Sequence, residues 1–254
     1  MFGIFKRKSK NTAFTFTHHR ALSEIQESWD SILPTNHHLF SQNLYFLEQN
    51  TSIQGHYVKV FKNGIFLGNI YLQKVNVPIN NIGYSLKNFQ RLECVINSIK
   101  SVRCGLDFLV CGNIFRPNQE GYFFCNGLTK ETVFEEFISY IEDLEKEIGF
   151  AGILIKECNS PLLKEGKFTA IKQDISMEMT LNSDWLTIGD YVEDLDKKYR
   201  KRFQKIQESG AELEKRELNS NELQHFQKPM FELYNQVYST QDFKLTNITE
   251  AYFI

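Results

Sequence analysis

The pattern of apolar and polar positions divides this chain into short elements of changing period. The clearest alternation runs through His56-Tyr57-Val58-Lys59-Val60-Phe61-Lys62 and resumes at Ile65-Phe66-Leu67-Gly68-Asn69-Ile70-Tyr71-Leu72. Asn63-Gly64 lies between them, the pair favoured by a type I′ hairpin turn because both central residues need positive φ. A helical period appears earlier, from Ser23, with Ile25, Trp29, Ile32 and Leu33 on one face and Pro34 as its end. Leu39, Phe40 and the run Leu44–Leu47 predict a second helix, capped by Ser41. Residues 1–20 read as a leader or an edge segment. Arg91 to Ile99 is a candidate helix in an otherwise ambiguous stretch.

Leu106–Cys111 and Gly121–Cys125 have the short continuous apolar runs of buried strands. Thr129 then caps a helix from Glu131 to Glu147, with Val133, Phe137, Tyr140, Ile141 and Leu144 on its inner stripe and Gly149 as its stop. Phe150–Ile155 predicts a central strand, and Ile171–Leu181 a half-buried one. Residues 187–210 predict a single amphipathic helix with Ile188, Val192, Leu195, Tyr199, Phe203 and Ile206 as a buried stripe. Thr187 and Asp190 form its capping box, and Gly210 is placed for a left-handed stop. Acidic residues fill its first half and basic residues its second, an order that complements a helix dipole. A short strand from Ala211 to Leu218 and a helix from Ser220, kinked or divided at Pro229, follow. The order predicts a mixed α/β (α+β) fold with a mainly antiparallel sheet flanked by helices.

Composition narrows function by exclusion. The chain has 254 residues and a formal net charge of -2, so no global cationic field favours nucleic acid or an anionic membrane. No apolar run reaches membrane-spanning length, and the basic N-terminus lacks the apolar segment of a secretory signal, so a cytoplasmic protein is expected. Five cysteines (Cys94, Cys104, Cys111, Cys125 and Cys158) lack the spacing of a disulfide framework or zinc knuckle. His18-His19, His37-His38, His56 and His225 read as surface or loop residues, because adjacent histidines diverge on a strand or helix. No metal is expected. Cys111-Gly112-Asn113, Arg116 and Gly121 match no phosphate-loop pattern, and Glu131, Glu135 and Glu136 crowd the helix that follows.

The dense cations Lys197, Lys198, Arg200, Lys201, Arg202 and Lys205 are the remaining candidate chemistry. Lys198, Arg202 and Lys205 share one helical face. Such a patch suits phosphates of coenzyme A, a nucleotide-linked precursor or tRNA. A solvated face with pairs Asp194–Lys198 and Asp196–Arg200 explains the same charges.

The stretch from Trp185 through Leu195, continued by Lys198-Tyr199-Arg200-Lys201-Arg202 after a strand ending Met179-Thr180-Leu181, resembles the FemAB-like, peptidoglycan-biosynthesis branch of the GNAT acyltransferases. Trp29, the Asn63-Gly64 hairpin, Leu109–Asn113 and the tyrosines Tyr234 and Tyr238 are further echoes. The resemblance implies a GNAT-like domain over 1–182 and the start of a second, truncated one over 183–254. It implies transfer of an acyl or aminoacyl group, from acyl-coenzyme A or aminoacyl-tRNA, to an amine of a small molecule or cell-wall precursor. Lys198, Arg200, Arg202 and Lys205 are the expected phosphate-binding residues, and no catalytic residue is assigned. A non-catalytic binding module that keeps the fold without the donor site is the alternative.

Overall fold

The structure is a computed structural model that describes residues 14–50, 53–77, 105–116, 118–125, 127–156, 179–241 and 248–253. The expectations for 91–99 and 171–178, and Cys94, Cys104 and Cys158, lie outside them. The chain divides into two compact units, Met1–Phe168 with Leu223–Ile254, and Thr169–Glu222.

The first unit is a mixed α/β layer structure. Its strands are β1 (Phe14–His19), β2 (Gln54–Lys62), β3 (Ile65–Val77), β4 (Leu106–Cys111), β5 (Tyr122–Phe124) and β6 (Gly152–Ile155). The sheet runs β1-β2-β3-β4-β6 with β5 also on β3, and every pairing is antiparallel except β4 with β6. Asn63 and Gly64 turn the β2–β3 hairpin at φ of 52° and 83°, as the dipeptide predicts. Phe150–Ile155 was expected at the centre of the sheet; β6 instead has β4 as its neighbour among the described residues.

Period-2 alternation gives the sheet two apolar faces. One carries Phe14, Phe16, Val58, Val60, Ile70, Leu72, Leu109 and Cys111, covered by Val133, Phe134, Phe137, Ile141 and Leu144 of α3 (Lys130–Ile148). Thr129 caps α3 by accepting from the Thr132 N–H, and Gly149 ends it at φ 67°. Tyr57 and Tyr71 face the other way, against Trp29, Leu33, Leu39, Leu44 and Leu47 from α1 (Gln26–Asp30), α2 (Ser41–Asn50) and their connection. Burying each such side chain contributes about 1.5–3 kcal/mol, so this double-sided core is the main support of the sheet. Ser41 is not the expected cap. Its N–H and Oγ–H donate to Asp30 at 2.8 and 2.5 Å, tying the two helices together.

Helix α6 (Ser220–Thr240) runs through Pro229 undivided. Its Phe231 and Tyr234 meet Phe253 of a final 3-10 turn, Glu250–Phe253, whose Tyr252 in turn meets Phe46 and Phe115.

In the second unit the expected single helix over 187–210 is two, α4 (Ile188–Asp194) and α5 (Lys197–Ser209). The Thr187–Asp190 capping box is present. Leu195 and Asp196 are extended at ψ 142° and 146°, and Arg200 Nη2 donates to the carbonyls of Glu193 and Leu195 at 2.8 and 3.0 Å. Arg200 therefore closes α4 rather than pairing with Asp196. The division reverses the expected dipole match, since Glu193 and Asp194 now end one helix and Lys197 and Lys198 open the next. The apolar stripe is not buried: Ile188, Tyr199 and Ile206 are 69%, 50% and 61% exposed. Gly210 has φ -97°, not a left-handed value, and 211–218 forms no strand.

Candidate functional site

The site is built from two segments of the first unit. The first is the α1–α2 connection. Trp29, fully buried, donates Nε1–H to the Leu39 carbonyl at 2.8 Å, and the Asp30–Ser41 bonds fix the far end. Asn36 takes positive φ (62°), which asparagine tolerates better than most residues. These constraints hold His37 and His38 at the rim of the sheet.

The second segment interrupts a strand. β4 ends at Cys111 opposite Leu72, and β5 resumes with Tyr122 opposite Ile70. Tyr71 bridges the gap, donating its N–H to Gly121 O at 2.7 Å and accepting from Gly112 N at 3.0 Å. Residues 113–116 and 118–120 thus lie off the sheet, on an excursion with a neck of two glycines. A Cβ on Gly121 would stand 2.2 Å from Gly112 N, so no side chain fits there. Inside the excursion Gln73 Oε1 accepts from Ile114 N at 2.8 Å, and Lys156 Nζ donates to the carbonyls of Asn113 and Arg116, both at 2.6 Å.

Between the segments lies an open cleft of about 510 Å³ whose polar lining includes His37, His38, Gln119, Glu120 and Lys130. Two tautomers follow from fixed partners. The Leu39 N–H donates to His37 Nδ1 at 3.2 Å, so the neutral His37 ring carries its proton on Nε2. Burial and the neighbouring His38 push His37 down to about 4, which keeps it neutral near pH 7. His38 Nε2–H donates to the Glu120 carbonyl at 2.8 Å, leaving a lone pair on Nδ1. The Glu120 carboxylate accepts from Tyr122 OH at 2.9 Å and pairs with Lys130 at 3.3 Å. Gln119 Oε1 is buried without a hydrogen-bond partner, which costs about 1–3 kcal/mol unless a donor reaches it.

A second polar cluster sits under the end of α3. His18 and His56 stack at 5.1 Å, and their Nε2 and Nδ1 atoms are 2.9 Å apart. Glu147 Oε1 lies 3.3 Å from His18 Nδ1 and from Arg20 Nη2. Glu147 fixes the His18 proton on Nδ1, so His56 donates from Nδ1 and its buried Nε2 is a lone pair with no partner. Burial drives His56 down to about 3 and lowers His18, with Arg20 adding to both. The surface reading of these two histidines is therefore corrected. β1 and β2 face them toward each other across antiparallel strands, a contact no local pattern reveals.

Lys198, Arg200, Arg202 and Lys205 all lie exposed on α5, in the second unit. Arg200 is engaged with the end of α4, and Lys198 lies 5.8 Å from the Tyr199 ring centroid. The start of α3 does not fit a diphosphate: Glu131 is in its first turn and Thr129 takes the Thr132 N–H. No group of three His, Cys, Asp or Glu residues that could hold a metal occurs among the described residues. No helix among the described residues is long and apolar enough to cross a membrane.

In the sequence, Gly112, Asn113 and Gly121 read as a poor phosphate loop and His37-His38 as surface residues, with nothing to join the two segments; glycines at 112 and 121 flanking a strand pattern were the available signal. No family model matches this chain, and no curated protein matches it. Among solved structures, a ribosomal-protein-alanine N-acetyltransferase from Brucella melitensis biovar Abortus 2308 is similar over 67% of this chain and 100% of that one. At 11% identity and a TM-score of 0.32, the likeness is too slight to carry an argument.

Proposed function

We propose that the protein is a GNAT-type N-acyltransferase of the FemAB-like kind, acting on an amine held in the His37–Lys130 cleft. The observation that carries the reading is that His38, in the lining of the cleft, spends its Nε2–H on the Glu120 carbonyl and keeps Nδ1 as a lone pair, beside the Glu120 carboxylate and Lys130. An amine becomes an amide only by losing a proton, and a positioned imidazole lone pair can take it. Glu120 holds the amine, and His38 receives the proton as the nitrogen bonds to the acyl carbon. That carbon's bond to the donor sulfur or tRNA oxygen breaks, releasing the thiol or the tRNA. The mainly antiparallel sheet flanked by helices is the layout the family resemblance implies, and it supports the same reading.

The donor in this reading is acyl-coenzyme A or aminoacyl-tRNA. The candidate contacts for its phosphates are Lys198, Arg202 and Lys205, with Arg200 beside them already bonded to the end of α4. The acceptor is a small-molecule or cell-wall-precursor amine, and the tandem organisation of 1–182 and 183–254 belongs to the same proposal.

A second reading, a binding module without catalysis, is favoured by the start of α3, which does not fit a diphosphate, and by Lys156, whose ammonium spans the loop carbonyls. The deciding experiment mixes the protein with acyl-coenzyme A of several chain lengths, or charged tRNA, and a panel of amines. Amine-dependent release of free thiol or free tRNA is expected. No release above the donor-only blank across the panel overturns the enzyme reading in favour of the module.

A further inference from the structure

We infer that α5 lies on an anionic lipid surface, with Tyr199, Phe203 and Ile206 inserted among the headgroups and its cations on their phosphates. The surface belongs to the second unit and does not depend on the N-acyltransferase reading. A net charge of -2 for the chain conceals a local excess, because the 13 residues of α5 carry six cations and one acid. At about 100° per residue, Tyr199, Phe203 and Ile206 form one stripe. Lys198, Arg202 and Lys205, each one residue earlier, run along its flank, and the acid, Glu208, falls on the side away from it.

Two observations separate a lipid surface from simpler occupants. The stripe faces water: Tyr199 and Ile206 are exposed and Phe203 is half-buried, where a folded unit ordinarily turns such a stripe inward. The cations are also unneutralised. Among the described residues no carboxylate pairs with Lys197, Lys198, Lys201, Arg202 or Lys205, although Asp194 and Asp196 are near in sequence. Soluble phosphates or tRNA would use the cations and leave the apolar stripe in water. A lipid interface uses both, because lysine and arginine stems lie along apolar groups while their charges reach the headgroup phosphates. α4 lacks the pattern, since Glu193 and Asp194 stand among its apolar residues. No helix among the described residues is long and apolar enough to cross a membrane, so α5 makes its contact lengthwise.

The test is co-sedimentation of the full chain with vesicles of phosphatidylcholine, alone or with roughly 30% phosphatidylglycerol, at low and moderate salt. Binding to the anionic vesicles only, weakened by salt, is expected. Joint change of Lys198, Arg202 and Lys205 to Gln should weaken it at least about tenfold, and so should Tyr199→Ser with Ile206→Ser. The serine pair decides, because it keeps every cation; circular dichroism confirms its folding. Unchanged vesicle binding by the folded serine pair overturns the inference, as does equal binding of both vesicle types or of neither. Binding of tRNA alike by the wild type and the serine pair, without vesicle binding, gives the cations to nucleic acid and overturns it. A concentration-dependent dimer that the serine pair abolishes, again without vesicle binding, gives the stripe to a second copy and overturns it too.

Discussion

His37 and His38 stack at 4.3 Å and their partners hold both as the Nε2–H tautomer, yet opposite atoms are left over: the Nε2–H of His37, whose Nδ1 is taken by Leu39, and the Nδ1 of His38, whose Nε2–H is taken by Glu120. Two neighbours in sequence thus keep opposite hydrogen-bonding groups, a donor on His37 and an acceptor on His38. If His38 takes the amine proton, His38→Ala should lower kcat by about 10²–10³ with KM little changed. His37→Ala, by contrast, should raise KM. Steady-state kinetics on both variants separates the two roles, and equal effects on kcat would remove the assignment.

The glycine neck gives a contrast within one protein. Gly121→Ala forces a Cβ to within 2.2–2.6 Å of Gly112 and Cys111 backbone atoms, which cannot turn aside. A loss of about 3 kcal/mol or more is expected. Gly64→Ala meets nothing within 4 Å and only strains a φ of 83°, so about 1 kcal/mol is expected. Urea denaturation of both variants reads the difference.

Stability should fall on acidification. An unfolded histidine takes a proton near pH 6.5, whereas folded His56 resists until about 3, and His18, His19 and His37 are lowered too. Between those limits the unfolded state binds more protons, so stability is full above pH 6.5 and is lost as pH drops. His56 alone contributes on the order of 3–5 kcal/mol across that window. Glu147, Arg20 and Lys74 are the charges around the pair. In His56→Leu, the slope of unfolding free energy against pH should lose up to one proton between pH 6.5 and 4.5. An unchanged slope would exclude His56 as the titrating group.

The four cations of α5 should separate by role. Arg200→Gln frees the carbonyls of Glu193 and Leu195, and should lower the helicity of an isolated 183–216 peptide at its α4 end. Lys198, Arg202 and Lys205 are exposed, so their joint change to Gln should leave stability within about 0.5 kcal/mol. If they hold donor phosphates, the same triple change should weaken donor binding and flatten its dependence on salt. Unaltered salt dependence would count against that site.

The elements most legible in the sequence were those stabilised by their own neighbours. The Asn63-Gly64 turn, the Thr129 and Thr187 caps and the Gly149 stop are local, and each is where its residue types require. The helix over 187–210 was misread because its period continues through Leu195 and Asp196, while the break depends on Arg200 reaching back to two carbonyls. The cleft was illegible for a similar reason. His38 and Glu120 are 82 residues apart, and only the sheet and the Trp29–Leu39 bond bring them together. Charge density drew attention to α5; burial, which sequence does not display, marks Gln119 and His56.

Because β5 takes up the pairing that β4 leaves, with Tyr71 clamped between the two glycines, 113–116 and 118–120 belong to an insertion within a strand rather than to a link between strands. Closing a longer or shorter insertion over the same neck changes its entropy only slowly with length. The sheet's stake is in the near end, where Asn113 is buried and Ile114 and Phe115 pack on the two apolar clusters, and it is least in 118–120. Sequence change is therefore cheapest at the tip around Glu120, while Gly112 and Gly121 serve as fixed sockets for whatever the tip carries.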